Sequence, residues 1–255
     1  MKLNNINRKL VWITGASSGI GKELCYKFSE EGWNIALTAR RKSELEKISK
    51  MLNNKNLVCS ADVKSKSEVK LAVEELFSTF SKIDLAILNA GTYQSVDCKK
   101  IDSETFKHHM EVNYLGVIHS LEQIIPKMIS QRIGHIIIIT SPSGWRGLPK
   151  AAAYGPTKAA LKNLAQSLRY DLEPLGIKVQ LFCPSFVETE STPKGEHSLP
   201  GIISANKAAN LIYNSLNSNS FENFIPNNYL IWALYFLKFL PENISYKLIK
   251  WRTGY

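Results

Sequence analysis

Short apolar runs rich in β-branched residues alternate along this chain with longer stretches of helical character. Strands that are joined through a helix run parallel, and a parallel sheet is covered by helices on both faces. The alternation therefore predicts an α/β domain, and the 255 residues of the chain fit one such domain. The six runs are KLVWIT, NIALTA, NLVCSA, IDLAILN, GHIIIIT and IKVQLFC.

Capping signals mark the ends of several predicted helices. Gly32 is a stop signal after the first helix, and Ser43 is placed to cap the second. Ser65 and Glu68 have the spacing of a capping box before the third helix. The predicted helices cover residues 20–31, 43–53, 65–81, 103–131 and 152–174.

The composition is that of an ordinary globular protein, with 44% apolar and 21% charged residues. The four cysteines stand singly, which predicts free thiols and neither a disulfide framework nor a zinc site. The histidines have no metal-ligand spacing and are expected on helix surfaces or in packing, so no metal is predicted. The first strand follows no export signal, so we expect a cytoplasmic protein.

The formal net charge of +10 could favour binding to nucleic acid, an anionic membrane surface or acidic ligands. The lysines are dispersed, and no nucleic-acid motif accompanies them. We therefore expect no nucleic-acid partner.

The first predicted strand runs directly into TGASSGIG at residues 14–21 and then into a helix. Glycines in such a turn let the backbone approach a pyrophosphate, and the helix start favours its negative charge. The turn therefore predicts a dinucleotide site, with a mere tight turn as the alternative. The residues expected to line it are Gly15, Ser17, Ser18, Gly19, Ile20 and Gly21.

The end of the second strand indicates which dinucleotide binds. In such a site an acidic side chain accepts a hydrogen bond from the ribose 2′-hydroxyl of NAD, but this chain has Arg40 and Arg41 there. A guanidinium can bind a 2′-phosphate through charge-assisted hydrogen bonds, so Arg40 favours NADP(H). Solvated surface arginines are the alternative, and it has more weight for Arg41.

Five motifs follow one another in a characteristic order: TGASSGIG, Asn89-Ala90-Gly91, Asn113 in EVNYLG, Ser141, and Y-G-P-T-K at residues 154–158. From about Lys9 to Thr189 the chain thereby resembles the classical short-chain dehydrogenase/reductase family. The resemblance implies a single doubly wound Rossmann-type domain over residues 1–255, with a mostly parallel seven-stranded sheet and a cofactor-binding and catalytic core at 9–189. It also implies a homodimer or homotetramer that pairs the two long helices.

Tyr154 and Lys158 are four residues apart in a predicted helix and therefore stand on one face. We expect the ammonium group beside the phenol to lower the pKa of Tyr154 from its usual value near 10. A phenol tuned in this way can donate a proton to a carbonyl oxygen or accept one from an alcohol. Tyr154 is therefore the predicted general acid/base.

The family resemblance assigns roles to further residues. Ser141 would hydrogen-bond the substrate oxygen, with Ser143 as a less favoured alternative because Pro142 departs from the commonest pattern. Asn113 would hold a water molecule of a proton relay, and Lys158 would also hydrogen-bond the nicotinamide ribose. Ser185 stands where the family has glycine, beside the expected carboxamide contacts. The other cofactor contacts that the resemblance implies are Asp62, Val63, Asn89, Ala90, Gly91, Pro184, Val187 and Thr189.

Residues 190–255 are expected to form a substrate loop and apolar C-terminal helices. Residues 190–201 are polar and rich in proline and glycine, which predicts a flexible loop and a candidate substrate lid. The segment 229–240 is nearly all apolar but shorter than the roughly 20 residues that a spanning helix needs. Three interpretations stay open for it: a wall of the substrate pocket, a subunit contact, and a peripheral membrane contact through 229–252.

Together these features predict an NADPH-dependent reductase, reversibly an alcohol dehydrogenase, that acts on the carbonyl group of a small hydrophobic or lipid-like substrate. A catalytically idle NADP-binding redox sensor or scaffold is the alternative, because a fold alone does not guarantee chemistry. No residue in the sequence identifies the carbonyl compound.

Overall fold

Each of the six predicted apolar runs forms a strand, because branched side chains pack well in a sheet that is buried on both faces. The computed structural model describes residues 8–190 and 201–255, so most of the predicted lid lies outside the described residues. The strands are β1 Leu10–Thr14, β2 Asn34–Thr38, β3 Asn56–Val58, β4 Leu85–Leu88, β5 Gly134–Ile139, β6 Ile177–Pro184, β7 Val187–Glu188, β8 Ile203–Ser204 and β9 Glu222–Ile225.

Seven strands form one sheet in the order β3-β2-β1-β4-β5-β6-β9, and every neighbouring pair is parallel. β7 and β8 pair separately. The strand order reverses between β1 and β4, and in open α/β sheets ligands bind at the carboxyl ends of the strands on either side of such a point. The predicted doubly wound fold is confirmed, and the topology directs attention to this edge.

The helices agree with the predicted ones to within a few residues. The structure has α1 Gly19–Glu30, α2 Lys42–Lys50, α3 Lys66–Thr79, α4 Ser103–Met110, α5 Gly116–Gln131, α6 Tyr154–Leu172, α7 Ala205–Asn214, α8 Tyr229–Phe236 and α9 Glu242–Thr253. The predicted helix at 103–131 has the expected ends, but its middle, Glu111–Leu115, is a π-helical turn. Such turns are rare and occur often at functional sites.

The capping predictions have mixed outcomes. Ser65 Oγ accepts a hydrogen bond from the Glu68 amide at the start of α3, which is one half of the predicted capping box. The Glu68 carboxylate accepts from the Asp62 amide at 2.9 Å instead of from the Ser65 amide. Gly32 follows α1 with a φ of +84°, a conformation that favours glycine. The assignment of Ser43 as a cap was wrong, because α2 begins one residue earlier and Ser43 lies inside it.

The sheet is buried on both faces, which explains why its strands are almost continuously apolar. In β5, Ile136 and Ile138 pack into the core on one face, while Ile137 and Ile139 pack into the core on the other. All four are at most 5% exposed. A sheet held from both sides in this way fixes the loops at its carboxyl edge, where the predicted site residues lie.

Candidate active site

The turn between β1 and α1 brings backbone atoms closer together than a side chain would allow. Gly15 and Gly19 have φ angles of +69° and +53°, and a Cβ atom at Gly21 would lie 2.2 Å from the carbonyl oxygen of Gly15. No acidic residue stands in the first turn of α1. The positive end of the helix therefore faces a cradle whose shape and charge suit a phosphate group.

Asn89 supports this turn from β4. Its Nδ2 donates to the carbonyl oxygens of Thr14 at 3.1 Å and Gly15 at 3.4 Å. The backbone amides of Asn89 and Ala90 both donate to Thr14 Oγ1 at 3.1 Å. The side chain of Asn89 thus holds the glycine turn in place, a use that the motif alone did not predict, while Ala90 and Gly91 continue along the same edge.

The three residues of the predicted acid/base group lie together at the carboxyl end of β5. Ser141 follows the strand, and Tyr154 and Lys158 occupy the first two turns of α6. Lys158 Nζ lies 5.5 Å from the centroid of the Tyr154 ring, and Tyr154 is hydrogen-bonded to Ser141. The ring of Tyr93 contacts that of Tyr154 edge-on, with 5.3 Å between the centroids.

A short 3-10 helix, Pro142–Gly144, carries the loop after Ser141 onto α6. Pro142 fits its first turn, where the missing amide costs nothing. A Cβ atom at Gly144 would lie 2.8 Å from the backbone carbon of Lys158, so glycine permits the close contact. Ser141 Oγ accepts from the Ser143 amide at 3.3 Å, and the two hydroxyl oxygens are 3.4 Å apart. Ser141 contacts Tyr154 and Ser143 is its immediate neighbour.

The pKa of Tyr154 differs from the expectation. Desolvation raises it above its usual value of 10, and the hydrogen bond with Ser141 offsets only part of that effect. The predicted lowering by Lys158 is therefore wrong for the chain alone, because burial outweighs a charge 5.5 Å from the ring. Lys158 is itself buried and donates to the Ile139 carbonyl at 2.9 Å. Burial lowers its pKa to about 8.

Asn113 lies at the centre of the π-helical turn and is fully buried. Its Oδ1 accepts from the Thr92 amide at 2.7 Å, and its Nδ2 donates to the Thr92 carbonyl at 3.0 Å. The same Nδ2 also donates to Thr157 Oγ1 at 3.1 Å, next to Lys158. The side chain therefore joins the loop after β4 to α6, and the proposed water-binding role of the Asn113 backbone stays a prediction.

Two arginines at the end of β2 occupy different positions. Arg40 is exposed, with its Nη1 3.9 Å from Asp62 Oδ2. Arg41 Nε donates to Ser17 Oγ at 3.2 Å, and its Nη1 pairs with Glu190 at 3.1 Å. Arg41 thus contacts the glycine turn directly. Prediction from the sequence favoured Arg40 over Arg41, and the position of Arg41 next to Arg40 was the signal available for it.

The remaining predicted contacts surround the same edge. A Cβ atom at Gly19 would lie 3.1 Å from Thr189 Cγ2, so Thr189 covers the turn. Val63 is buried and its side chain adjoins Gly116. Ser185, which replaces the family's glycine, donates its amide to the Ile225 carbonyl at 2.8 Å. Pro184 is the last residue of β6, and Val187 is the first residue of β7.

The histidines serve packing where their environment is described. His109 is fully buried, and its Nε2 accepts from the Gln94 amide at 3.0 Å. His135 lies on β5 rather than on a helix, with its Nε2 2.9 Å from Gln180 Oε1. His197 lies outside the described residues. Within 8–190 and 201–255, no group of three His, Cys, Asp or Glu side chains is placed to hold a metal ion.

Comparison with known proteins identifies the family. Residues 9–198 match the sequence profile described as short chain dehydrogenase. The chain belongs to the short-chain dehydrogenase/reductase family. It is therefore an oxidoreductase with an NAD(P)-binding fold.

Proteins similar to this chain occur in bacteria, plants and humans. An uncharacterized oxidoreductase of Staphylococcus epidermidis is 35% identical over 187 residues, which cover 73% of this chain and 81% of that protein. The 11-beta-hydroxysteroid dehydrogenase-like protein 3 of Arabidopsis thaliana is 35% identical over 199 residues, covering 75% of this chain and 63% of its own.

Solved structures agree over nearly the whole fold. A short-chain dehydrogenase/reductase of Burkholderia phymatum in complex with NAD has a TM-score of 0.82 at 22% identity and covers 92% of this chain and 94% of its own. A short-chain dehydrogenase of Sphingobium yanoikuyae in complex with NADPH has a TM-score of 0.79 at 25% identity, with 88% and 90% covered. One neighbour was solved with NAD and the other with NADPH.

Proposed function

We propose that this protein is an NADPH-dependent reductase that converts a carbonyl group to an alcohol, and reversibly the alcohol to the carbonyl. The observation that carries the proposal is the group formed by Ser141, Tyr154 and Lys158 at the carboxyl edge of the sheet, on which the glycine turn also lies. A phosphate cradle on the same edge as a phenol and a hydroxyl is suited to hydride transfer from a nicotinamide to a carbonyl.

Tyr154 would act as the acid in the direction of reduction. Because burial raises its pKa, the phenol keeps its proton at neutral pH and can donate it from Oη to the oxygen of a carbonyl group. Ser141 would hydrogen-bond the same oxygen and hold it within reach of Tyr154. Bound NADPH would supply the hydride.

Lys158 and Asn113 would help to return a proton to Tyr154 after it has protonated the substrate. With its pKa lowered to about 8, the buried ammonium group of Lys158 can release and regain a proton near physiological pH. Asn113, through its bond to Thr157, holds the helix that carries Lys158. The predicted relay through the Asn113 backbone would connect this ammonium group to solvent, and Lys158 would also hold the nicotinamide ribose.

The preference for NADP(H) rests on Arg40. Its guanidinium is exposed at the end of β2, and Asp62 lies 3.9 Å from it, which is a weak ion pair at an exposed position. A 2′-phosphate could therefore compete for the guanidinium. Arg41 supports the same region by holding Ser17 of the glycine turn. One solved relative holds NAD and the other NADPH, so the proposed preference for NADP(H) depends on the two arginines.

A hydrophobic substrate is supported by the aromatic side chains next to the acid/base group. Trp145 follows the Ser141 loop directly and packs against Phe224 and Tyr235, with 5.1 Å between ring centroids in both cases. These three rings carry no charge, so an apolar substrate tail would be favoured beside them.

The expected assembly and compartment are part of the proposal. The long helices α5 and α6 expose the apolar side chains of Ile129 and Tyr170, which a homodimer or homotetramer would cover. All four cysteines are free thiols, which suits the reducing cytoplasm.

The proposal is tested by following NADPH absorbance with ketones and aldehydes of increasing apolar chain length. We expect turnover, with kcat/KM rising as the chain lengthens. If the protein binds NADPH but reduces none of these compounds, and a partner protein binds only the NADPH-loaded form, the redox-sensor function replaces the reductase.

The cofactor preference is tested by Arg40→Ala. Losing a charge-assisted contact with the 2′-phosphate should weaken NADPH binding about 10- to 100-fold and leave NADH binding nearly unchanged. Lys42→Ala, which removes a neighbouring exposed charge, is the matched control and should change neither affinity much. Equal losses for both nucleotides in Arg40→Ala would contradict the assignment.

A further inference from the structure

The helix α8 shows an aromatic face to the outside. On its inner side, Ile231 is buried against Cys183 and Phe224. Tyr229, Trp232 and Phe236 are exposed on another side, and Phe236 shows 58% of its surface. The ring of Trp232 also packs edge-on against that of Phe224, with 4.8 Å between the centroids. The spacing of three and four residues places the three exposed rings on one helical face. Nothing polar interrupts that face from Tyr229 to Phe236.

The next helix, α9, has little contact with the rest of the protein. Ser245 is its one buried residue, and Ile244, Leu248 and Trp251 are exposed, with Trp251 at 79%. These three side chains also follow a spacing of four and three residues. A helix of 12 residues is marginal in water without a packing partner. The exposed apolar side of α9 therefore indicates a binding partner.

Basic residues accompany the apolar ones. Between Tyr229 and Tyr255 the chain has Lys238, Lys247, Lys250 and Arg252, against the single acidic residue Glu242. Glu242 is already paired with Arg146. Among residues 8–190 and 201–255, no acidic side chain pairs with these four basic residues, and an anionic surface would complement them.

Arg146 gives this segment a fixed position. Its Nη2 donates to the carbonyl oxygens of Leu237 and Leu240, each at 2.9 Å, at the junction of the two helices. Arg146 lies in the loop that follows Ser141, and its side chain is largely covered. The junction is therefore attached to the body of the protein and is not a free tail.

We propose that α8, α9 and their junction form a docking surface for an anionic phospholipid bilayer, which we call the C-terminal docking surface. Tryptophan, tyrosine and lysine side chains are favoured at the boundary between headgroups and acyl chains. No helix in 8–190 or 201–255 combines the length and apolarity that crossing a bilayer requires.

A second copy of the chain fits this surface less well. A two-fold contact would bring two clusters of lysine and arginine residues together, which is unfavourable. The surface also lies beyond residue 198, where the match to the family profile ends. Bilayer docking is therefore a property of this chain's own C-terminal sequence, and it does not depend on the proposed reaction.

Co-sedimentation with vesicles tests the docking surface in the full-length protein. We expect binding to vesicles of phosphatidylcholine with phosphatidylglycerol, weaker binding at high salt, and little binding to phosphatidylcholine alone. Phe236→Ser with Trp251→Ser should reduce the binding constant about 10-fold or more. Lys247→Gln with Lys250→Gln should reduce it about fivefold for each charge removed.

Matched variants elsewhere separate docking from general stickiness. Met51→Ser with Leu71→Ser removes two apolar side chains of similar exposure, and Lys99→Gln with Lys100→Gln removes two exposed charges. Both should bind vesicles as the wild type does, and circular dichroism should show all variants folded. Absence of wild-type binding to anionic vesicles, or equal losses in the control variants, would overturn the proposal. So would sedimentation velocity showing that Phe236→Ser with Trp251→Ser converts a dimer to a monomer.

Discussion

The carboxyl edge of the sheet buries polar residues, whereas the C-terminal docking surface exposes apolar ones. At the sheet edge, polar residues such as Asn113 and Lys158 are buried, and hydrogen bonds to fixed partners hold them. At the docking surface, apolar residues such as Phe236 and Trp251 are exposed. A buried polar group must be satisfied within the protein, whereas an exposed apolar group indicates a partner outside it.

This difference predicts how each region responds to change. Close backbone packing at the sheet edge leaves no room for added atoms, so small substitutions should have large effects there. Helix α9 of the docking surface contributes little buried area, so its removal should hardly affect folding.

Gly21→Ala should destabilise the protein by about 3 kcal/mol or more and abolish dinucleotide binding, because the new Cβ would overlap the Gly15 carbonyl oxygen at 2.2 Å. Chemical denaturation and nucleotide titration measure the two effects. Gly147→Ala is the matched control, since nothing lies within 4 Å of a Cβ there. Similar stability losses in both variants would show that the turn is less tightly packed than described.

The sheet should also show a pH dependence that the docking surface lacks. Desolvation, aided by Lys178, lowers the pKa of His135 from 6.5 to about 4. Between these values the unfolded chain binds a proton that the folded chain does not, so stability should fall by about 3 kcal/mol as the pH drops from 6.5 to 4. His135→Gln should remove this part of the slope in denaturation curves. An unchanged slope would contradict the assignment.

Truncation after Pro241, which removes α9, should change the free energy of unfolding by about 1 kcal/mol or less, because the helix buries one serine and contributes one ion pair at a largely exposed glutamate. The truncated protein should keep NADPH binding. Urea denaturation of the two chains measures the difference. A loss of several kcal/mol would mean that α9 packs as part of the core.

Much of the sheet edge could be predicted from the sequence because its geometry follows from short local patterns. The glycine turn, the Ser141 loop and the Tyr154–Lys158 pair each lie within a few residues of a strand or helix end, where spacing determines position. β9 and α7 were not predicted, because the four residues of β9 carry too short a pattern and are recognised only through pairing with β6.

Other features depended on contacts between distant residues. The bond from Arg41 to Ser17 joins positions 24 residues apart, and Asn113 contacts Thr157 across 44 residues. The raised pKa of Tyr154 results from burial by the whole fold, while the sequence showed only the neighbouring Lys158. The apolar C-terminal segment was visible in the sequence, but the side that it leaves exposed was not.

The most direct test of the account compares Tyr154→Phe with Tyr93→Phe, two substitutions that each remove one hydroxyl from a pair of rings in contact. With a carbonyl compound that the wild type reduces, NADPH oxidation should fall about 100-fold or more in Tyr154→Phe, while NADPH affinity and the melting temperature stay near those of the wild type. Tyr93→Phe should retain most of the activity. Near-wild-type turnover in Tyr154→Phe would contradict the central claim that Tyr154 donates the proton.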